Sequence, residues 1–139
     1  MNQRRIVVAV VLGIGMIATF LPWVHVPIVG AIYGTKGDGW ITFSLFAAAL
    51  GVTALWGRDT PLVGLPRIVA AALSSGAAIV GVWKMIELND RLSQLGDNPL
   101  ARAVSQTVGM GPGLYLVLVA GLLAPVIAFV PAGGKASGK

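Results

Sequence analysis

Four stretches of this chain, 6–24, 40–56, 68–86 and 114–130, are continuously apolar and almost free of charge. A helix rises about 1.5 Å per residue, so stretches of about 17–19 residues reach roughly 25–28 Å, close to the hydrocarbon thickness of a bilayer. In water they would need a polar coat that the chain lacks. Charged residues make up 11% of its 139 residues and 56% are apolar or aromatic, whereas soluble domains carry about 25% charge. A soluble core of this size has no use for so much apolar surface, and disordered chains show the opposite composition. Lipid is therefore the expected solvent. The expected fold is all-α, a four-transmembrane-helix bundle comprising residues 1–131, followed by a mobile basic tail at 132–139.

Aromatic placement agrees with four crossings, because Trp and Tyr favour the headgroup level, where an apolar ring keeps one polar edge wet. Trp23, Trp40, Trp56, Trp83 and Tyr115 fall at expected helix ends and are the expected membrane-interface anchors. Basic residues give the orientation. Arg4, Arg5, Arg58, Arg67, Lys135 and Lys139 stand against Asp59 on one side, a net of +5; Lys36, Lys84, Arg91 and Arg102 balance Asp38, Glu87, Asp90 and Asp97 on the other. Both termini are thus expected in the cytoplasm, and the excess of cations reads as a topology signal. It does not point to nucleic acid, since no basic face interleaved with exposed aromatics is visible. The first stretch is expected to stay uncleaved, because Leu21-Pro22-Trp23-Val24 is a poor small-x-small site.

Lipid supplies little hydrophobic drive between helices, so small residues must let backbones approach. Pairs spaced by four provide a seam on each helix: Ala9 and Gly13, Ala47 and Gly51, Ala71 with Ser75 and Ala77 with Gly81, and Ala120 with Ala124 and Ala128. Pro125 removes a backbone donor and is expected to bend the fourth helix. The first outer loop, 22–40, is rich in β-formers and predicts a short hairpin whose prolines confine it to irregular or edge pairing. The third helix is expected to continue past Ile86 to about residue 95, with Lys84, Glu87 and Arg91 spaced for pairing. Asn98-Pro99 then opens a second outer helix through about Val108, with Leu100, Val104 and Val108 on one side. Gly109, Gly111 and Gly113 read as a flexible return to the membrane.

Little in the sequence announces chemistry. The chain has no cysteine and one histidine, so thiol catalysis and cysteine-ligated metal are excluded. No ionisable residue falls in mid-membrane, where one would mark a proton or substrate path; Lys84 is close enough to its helix end to snorkel. No catalytic, cofactor-binding or metal site is expected. His25, Tyr33 and Asp38 are the candidate contacts for a partner or ligand. Asp38, in Gly37-Asp38-Gly39-Trp40, reads first as a helix cap, and His25 as a polar contact at headgroup level.

Leu21-Pro22-Trp23 closing the first helix, Gly37-Asp38-Gly39-Trp40 opening the second and Gly113-Leu114-Tyr115-Leu116 opening the fourth give most of the chain a resemblance. It resembles a broad group of small four-helix bacterial membrane proteins, uncharacterised in activity. The resemblance implies a multi-pass topology in a bacterial plasma membrane and carries no activity with it. The arrangement is also similar in outline to claudin-like proteins, whose paired loop cysteines and Gly-Leu-Trp signature this chain lacks. The expected function is a non-catalytic accessory or scaffold subunit. It would bind a larger membrane complex, or further copies of itself, through its outer loops and small-residue faces. Two alternatives stand beside it: a small oligomeric transporter or channel lined by Thr19, Thr42, Ser44 and Thr53, and an outer-face enzyme using His25 and Asp38.

Overall fold

The structure, a computed structural model, describes residues 3–27, 30–57, 59–94, 96 and 98–131. The expected mobile tail at 132–139 lies outside the described residues, as do Arg58, Leu95 and Asp97 and the side chain of Val104. The chain is mostly helical, with five helices and a small sheet: α1 (Gln3–Ala18), β1 (Pro22–Val26), β2 (Gly30–Tyr33), α2 (Gly39–Leu55), α3 (Leu65–Ser93), α4 (Pro99–Thr107), β3 (Gly109–Met110) and α5 (Pro112–Phe129). A single 3-10 turn, Gly34–Lys36, joins β2 to α2. The long helices pack in a closed ring, α1 against α2, α2 against α3, α3 against α5 and α5 back against α1. Two of them, α3 and α5, are long and apolar enough to cross a membrane; α2 is apolar but shorter, with 17 residues.

The first helix ends earlier than its apolar stretch. Thr19, Phe20 and Leu21 close tight turns onto Met16, Ile17 and Ala18 through backbone bonds of 3.0–3.2 Å, and the Thr19 hydroxyl also donates to the Met16 carbonyl. Pro22 lacks an N–H and disfavours helical geometry in the residue before it. The expected helix over 6–24 is therefore α1 to Ala18 plus the strand β1.

The expected hairpin is present. β1 pairs antiparallel with β2, His25 opposite Ala31, and the register shifts between Pro22 and Val24. Pro22 occupies the first position of its strand, where a missing donor costs least. The glycine run at 109–113 differs from the expected flexible connector: Gly109–Met110 forms a third strand on the other side of β1, giving the order β2-β1-β3. The Gly111 N–H donates to the Trp23 carbonyl at 2.6 Å. A Cβ on Gly111 would collide with the Pro22 carbonyl, and one on Gly113 would stand 2.8 Å from both the Ala18 oxygen and the Trp23 ring.

Where α3 meets α5 the small residues face inward and the large ones outward, although Leu12, Phe46, Leu114 and Val117 also fill the core. The buried residues of α3 are Ala70, Ala71, Ser74, Ala77, Ala78 and Gly81, while Leu65, Ile68, Ile79, Val82, Trp83 and Ile86 point outward. α5 likewise buries Ala120, Gly121, Ala124 and Ala128 and exposes Val119, Leu122, Leu123, Val126 and Phe129. At the crossing, a Cβ on Gly121 would lie 2.8 Å from both the Ala78 Cβ and the Ser74 carbonyl oxygen, so the backbones approach as closely as glycine permits. α5 runs through Pro125 as one continuous helix. The expected seams on α1 and α2 play a different part. Ala9, Gly13, Ala47 and Gly51 are half-buried, and a Cβ on Gly13 or Gly51 would meet nothing within 4 Å. Gly15 makes the close approach on α1 instead, against the Phe46 ring of α2.

Arg5 is the largest fully buried side chain among the described residues. One terminal nitrogen donates to the carbonyls of Thr53 at 2.9 Å and Trp56 at 2.7 Å. The last carbonyls of α2 have no partner within their own helix, and the negative end of the helix dipole favours a cation there. Arg5 therefore ties the start of α1 to the end of α2.

Candidate functional site

A cleft of about 200 Å³ opens between the hairpin and the C-terminal turns of α3. Its apolar wall comes from Trp23 and Val24 of β1, Ile32 of β2, Leu88 of α3 and Leu114 of α5. Its polar lining comes from Tyr33, Lys36, Asp38, Lys84, Glu87 and Arg91. The hairpin reaches this position because its central strand is fastened to the bundle. Trp23 is buried to 6% exposure, its indole N–H donates to the Ala18 carbonyl at 3.2 Å, and its ring fills the space left by Gly34 and Gly113.

Lys84 organises the charges. Its ammonium pairs with the Asp38 carboxylate at the start of α2 and, at 2.5 Å, with Glu87 one turn on. Glu87 in turn accepts from Arg91 at 2.8 Å. The chain Asp38, Lys84, Glu87, Arg91 thus links the second helix to the third across the cleft. Hydrogen bonds from Lys84 first, and then from Arg91, hold the Glu87 carboxyl below its ordinary value. Lys84 also stands 5.1 Å from the centre of the exposed Trp83 ring.

Two of the three expected contact residues, Tyr33 and Asp38, line this cleft. His25 does not. It is exposed on β1, opposite Ala31 and Gly109, and among the described residues no group of three or more His, Cys, Asp or Glu side chains could hold a metal. His25 thus stands apart from the cleft that Asp38 lines. Asp38 occupies the N-cap position of α2, but its side chain makes no capping bond and goes to Lys84 instead. The i,i+3 and i,i+4 spacing of Lys84, Glu87 and Arg91 is legible in the sequence; the bond from Lys84 to Asp38, 46 residues away, is not, and Lys36 carries no local signal at all.

The aromatic anchors divide. Trp40 and Trp83 are 56% and 57% exposed, and Trp56 and Tyr115 are exposed in similar measure. Trp23 differs: its ring is buried against Gly34 and Gly113 at the end of the bundle. The hydroxyls considered as a channel lining are also separated. Thr19, Thr42 and Thr53 are fully buried and Ser44 is exposed; Thr19 donates to the Met16 carbonyl at the end of α1, and Ser44 and Thr53 donate to carbonyls of α2, as helical hydroxyls commonly do.

No family model, curated protein or solved structure matches this chain.

Proposed function

We propose that this chain is a non-catalytic integral membrane protein of four crossings, with both termini in the cytoplasm of a bacterial cell. It serves as an accessory or scaffold subunit that binds a membrane-embedded partner through its outer loops and small-residue helix faces. One observation carries this reading: many large apolar side chains face outward on every long helix, while α3 and the later turns of α5 meet through Ala, Ser and Gly. Monomeric soluble proteins rarely expose contiguous apolar surface of more than a few hundred Å², whereas in lipid close packing of small residues is what holds helices together. The pairs Ala9–Gly13 and Ala47–Gly51 add the binding element. They are small, four residues apart and half-exposed, with open space beside Gly13 and Gly51, which is the surface that a neighbouring membrane helix needs for close approach.

The absence of cysteine makes the test direct. Single cysteines placed at Gln3 and Gly96 should be labelled from opposite sides of the intact membrane, Gly96 from outside. A cysteine at Gly13 or Gly51 should cross-link to one stoichiometric partner in native membranes, and a leucine there should remove that product. Labelling of Gln3 from outside, or dispersal of the protein in plain buffer, overturns the topology; absence of any cross-link at either glycine overturns the scaffold role.

A further inference from the structure

The cleft has more positive than negative charge to offer. Asp38 and Glu87 are both engaged by Lys84, and Glu87 also by Arg91. Lys36 has no ion-pair partner among the described residues, and Arg91, 74% exposed, spends a terminal nitrogen on Glu87 and keeps further donors for a ligand. The rim therefore carries three cations against two occupied carboxylates, an arrangement suited to an anion. A volume of about 200 Å³ falls below the roughly 300–1,000 Å³ that receives a whole drug-sized ligand, so the cleft fits one end of a larger molecule. The apolar wall of Trp23, Ile32 and Leu88 indicates that this molecule continues as hydrocarbon.

We propose that the cleft binds the phosphate end of an anionic phospholipid, with Lys36 and Arg91 on the phosphate and Trp23, Ile32 and Leu88 against its first carbons. The proposal rests on the membrane reading given above, which puts the cleft at headgroup depth beside the exposed Trp40 and Trp83. The occupied carboxylates disfavour a zwitterionic headgroup, whose ammonium would compete with Lys84 for the same oxygens.

The test uses the full chain in uncharged detergent micelles, with Trp40, Trp56 and Trp83 replaced by Phe so that Trp23 fluorescence reports the cleft. Short-chain phosphatidylglycerol should shift the Trp23 emission at concentrations about tenfold lower than phosphatidylcholine or phosphatidylethanolamine, the ratio expected of a charge-assisted contact. Lys36→Ala and Arg91→Ala should each weaken phosphatidylglycerol binding about tenfold. Both residues are exposed, so the fold is expected to survive, and unchanged circular dichroism checks it. Leu88→Phe, which narrows the wall without adding a second indole, should weaken binding with both cations intact. Glycerol phosphate should bind far more weakly than the lipid. Equal affinity for the three lipids, or no effect of the two charge variants, overturns the proposal. Glycerol phosphate binding as tightly as the lipid assigns the cleft to a soluble phosphate and overturns the lipid assignment. Because binding is read in micelles, a failure here leaves the labelling result for topology standing, and the reverse also holds.

Discussion

Replacing Arg5 by methionine sets two views of a buried charge against each other. Where an ion pair is exchanged for apolar side chains of similar volume, stability is often unchanged or improved, because the desolvation cost disappears together with both charges. Arg5 differs in what it leaves behind. Its acceptors are the carbonyls of Thr53 and Trp56 at 2.9 and 2.7 Å, which stay at the end of α2 after the exchange and have no helical partner. Two hydrogen bonds from a charged donor contribute about 1.5–3 kcal/mol each. Against this, Arg5→Met removes a guanidinium whose Nε and second terminal nitrogen are buried without a partner, recovering about 1–3 kcal/mol. Methionine is long enough to keep most of the packing, so no large cavity offsets the comparison. The net loss lies between about 0 and 5 kcal/mol and centres near 2–3. Reversible unfolding in mixed micelles, with denaturing detergent titrated against a mild one and helicity as the readout, measures it. Arg5→Lys should fall between the two, since a single ammonium keeps the charge and loses the fork. Stability equal to or above wild type for Arg5→Met would show that desolvation outweighs the helix-end bonds and would refute the tie between α1 and α2.

Two further outcomes follow from particular contacts. Gly121→Ala should destabilise the bundle by about 1–3 kcal/mol in the same titration, since the new Cβ meets the Ser74 backbone oxygen and Ala78 at 2.8 Å; Gly51→Ala, with nothing within 4 Å, should instead gain up to about 1 kcal/mol in the purified chain from helix propensity. Glu87 has a lowered folded value, so its contribution is fully present above the ordinary glutamate value and is lost as pH falls through the lowered one. Hydrogen exchange across the outer turns of α3 should accelerate over that acidic window, and Glu87→Gln should exchange faster at neutral pH and show a flatter acid response.

How much of this was legible in the sequence depends on the range of the interaction that decides each feature. The long helices, the hairpin at 22–33 and the helix at 99–107 follow from local signals: apolar length, β-branched runs bounded by Gly and Pro, and Asn98-Pro99 as a helix start. The end of α1 at Ala18 is also local, but Pro22 acts against a longer apolar run, and hydropathy alone extends the helix too far. β3 is different. Two residues of a glycine run become a strand because Trp23 and Val24 offer free backbone groups there, and nothing within 109–113 announces that edge.

The charged residues make the same point with more consequence. Counted by side, they give a topology, and in that count Arg5 and Lys84 weigh no more than any other cation. In the fold, each is placed by the end of a neighbouring helix: Arg5 by the C-terminal carbonyls of α2, and Lys84 by the carboxylate that precedes the N-terminus of the same helix. α2, at 17 residues, is thus held at both ends by cations from α1 and α3. That arrangement satisfies backbone groups at the two ends of a short apolar helix, as the proposed lipid surroundings would require. It also explains why Asp38 abandons the cap that its position predicts. A lysine from the packed neighbour fixes the helix in the bundle, whereas a bond to its own backbone would fix only the first turn, and the same choice leaves the cleft beside it with cations to spare.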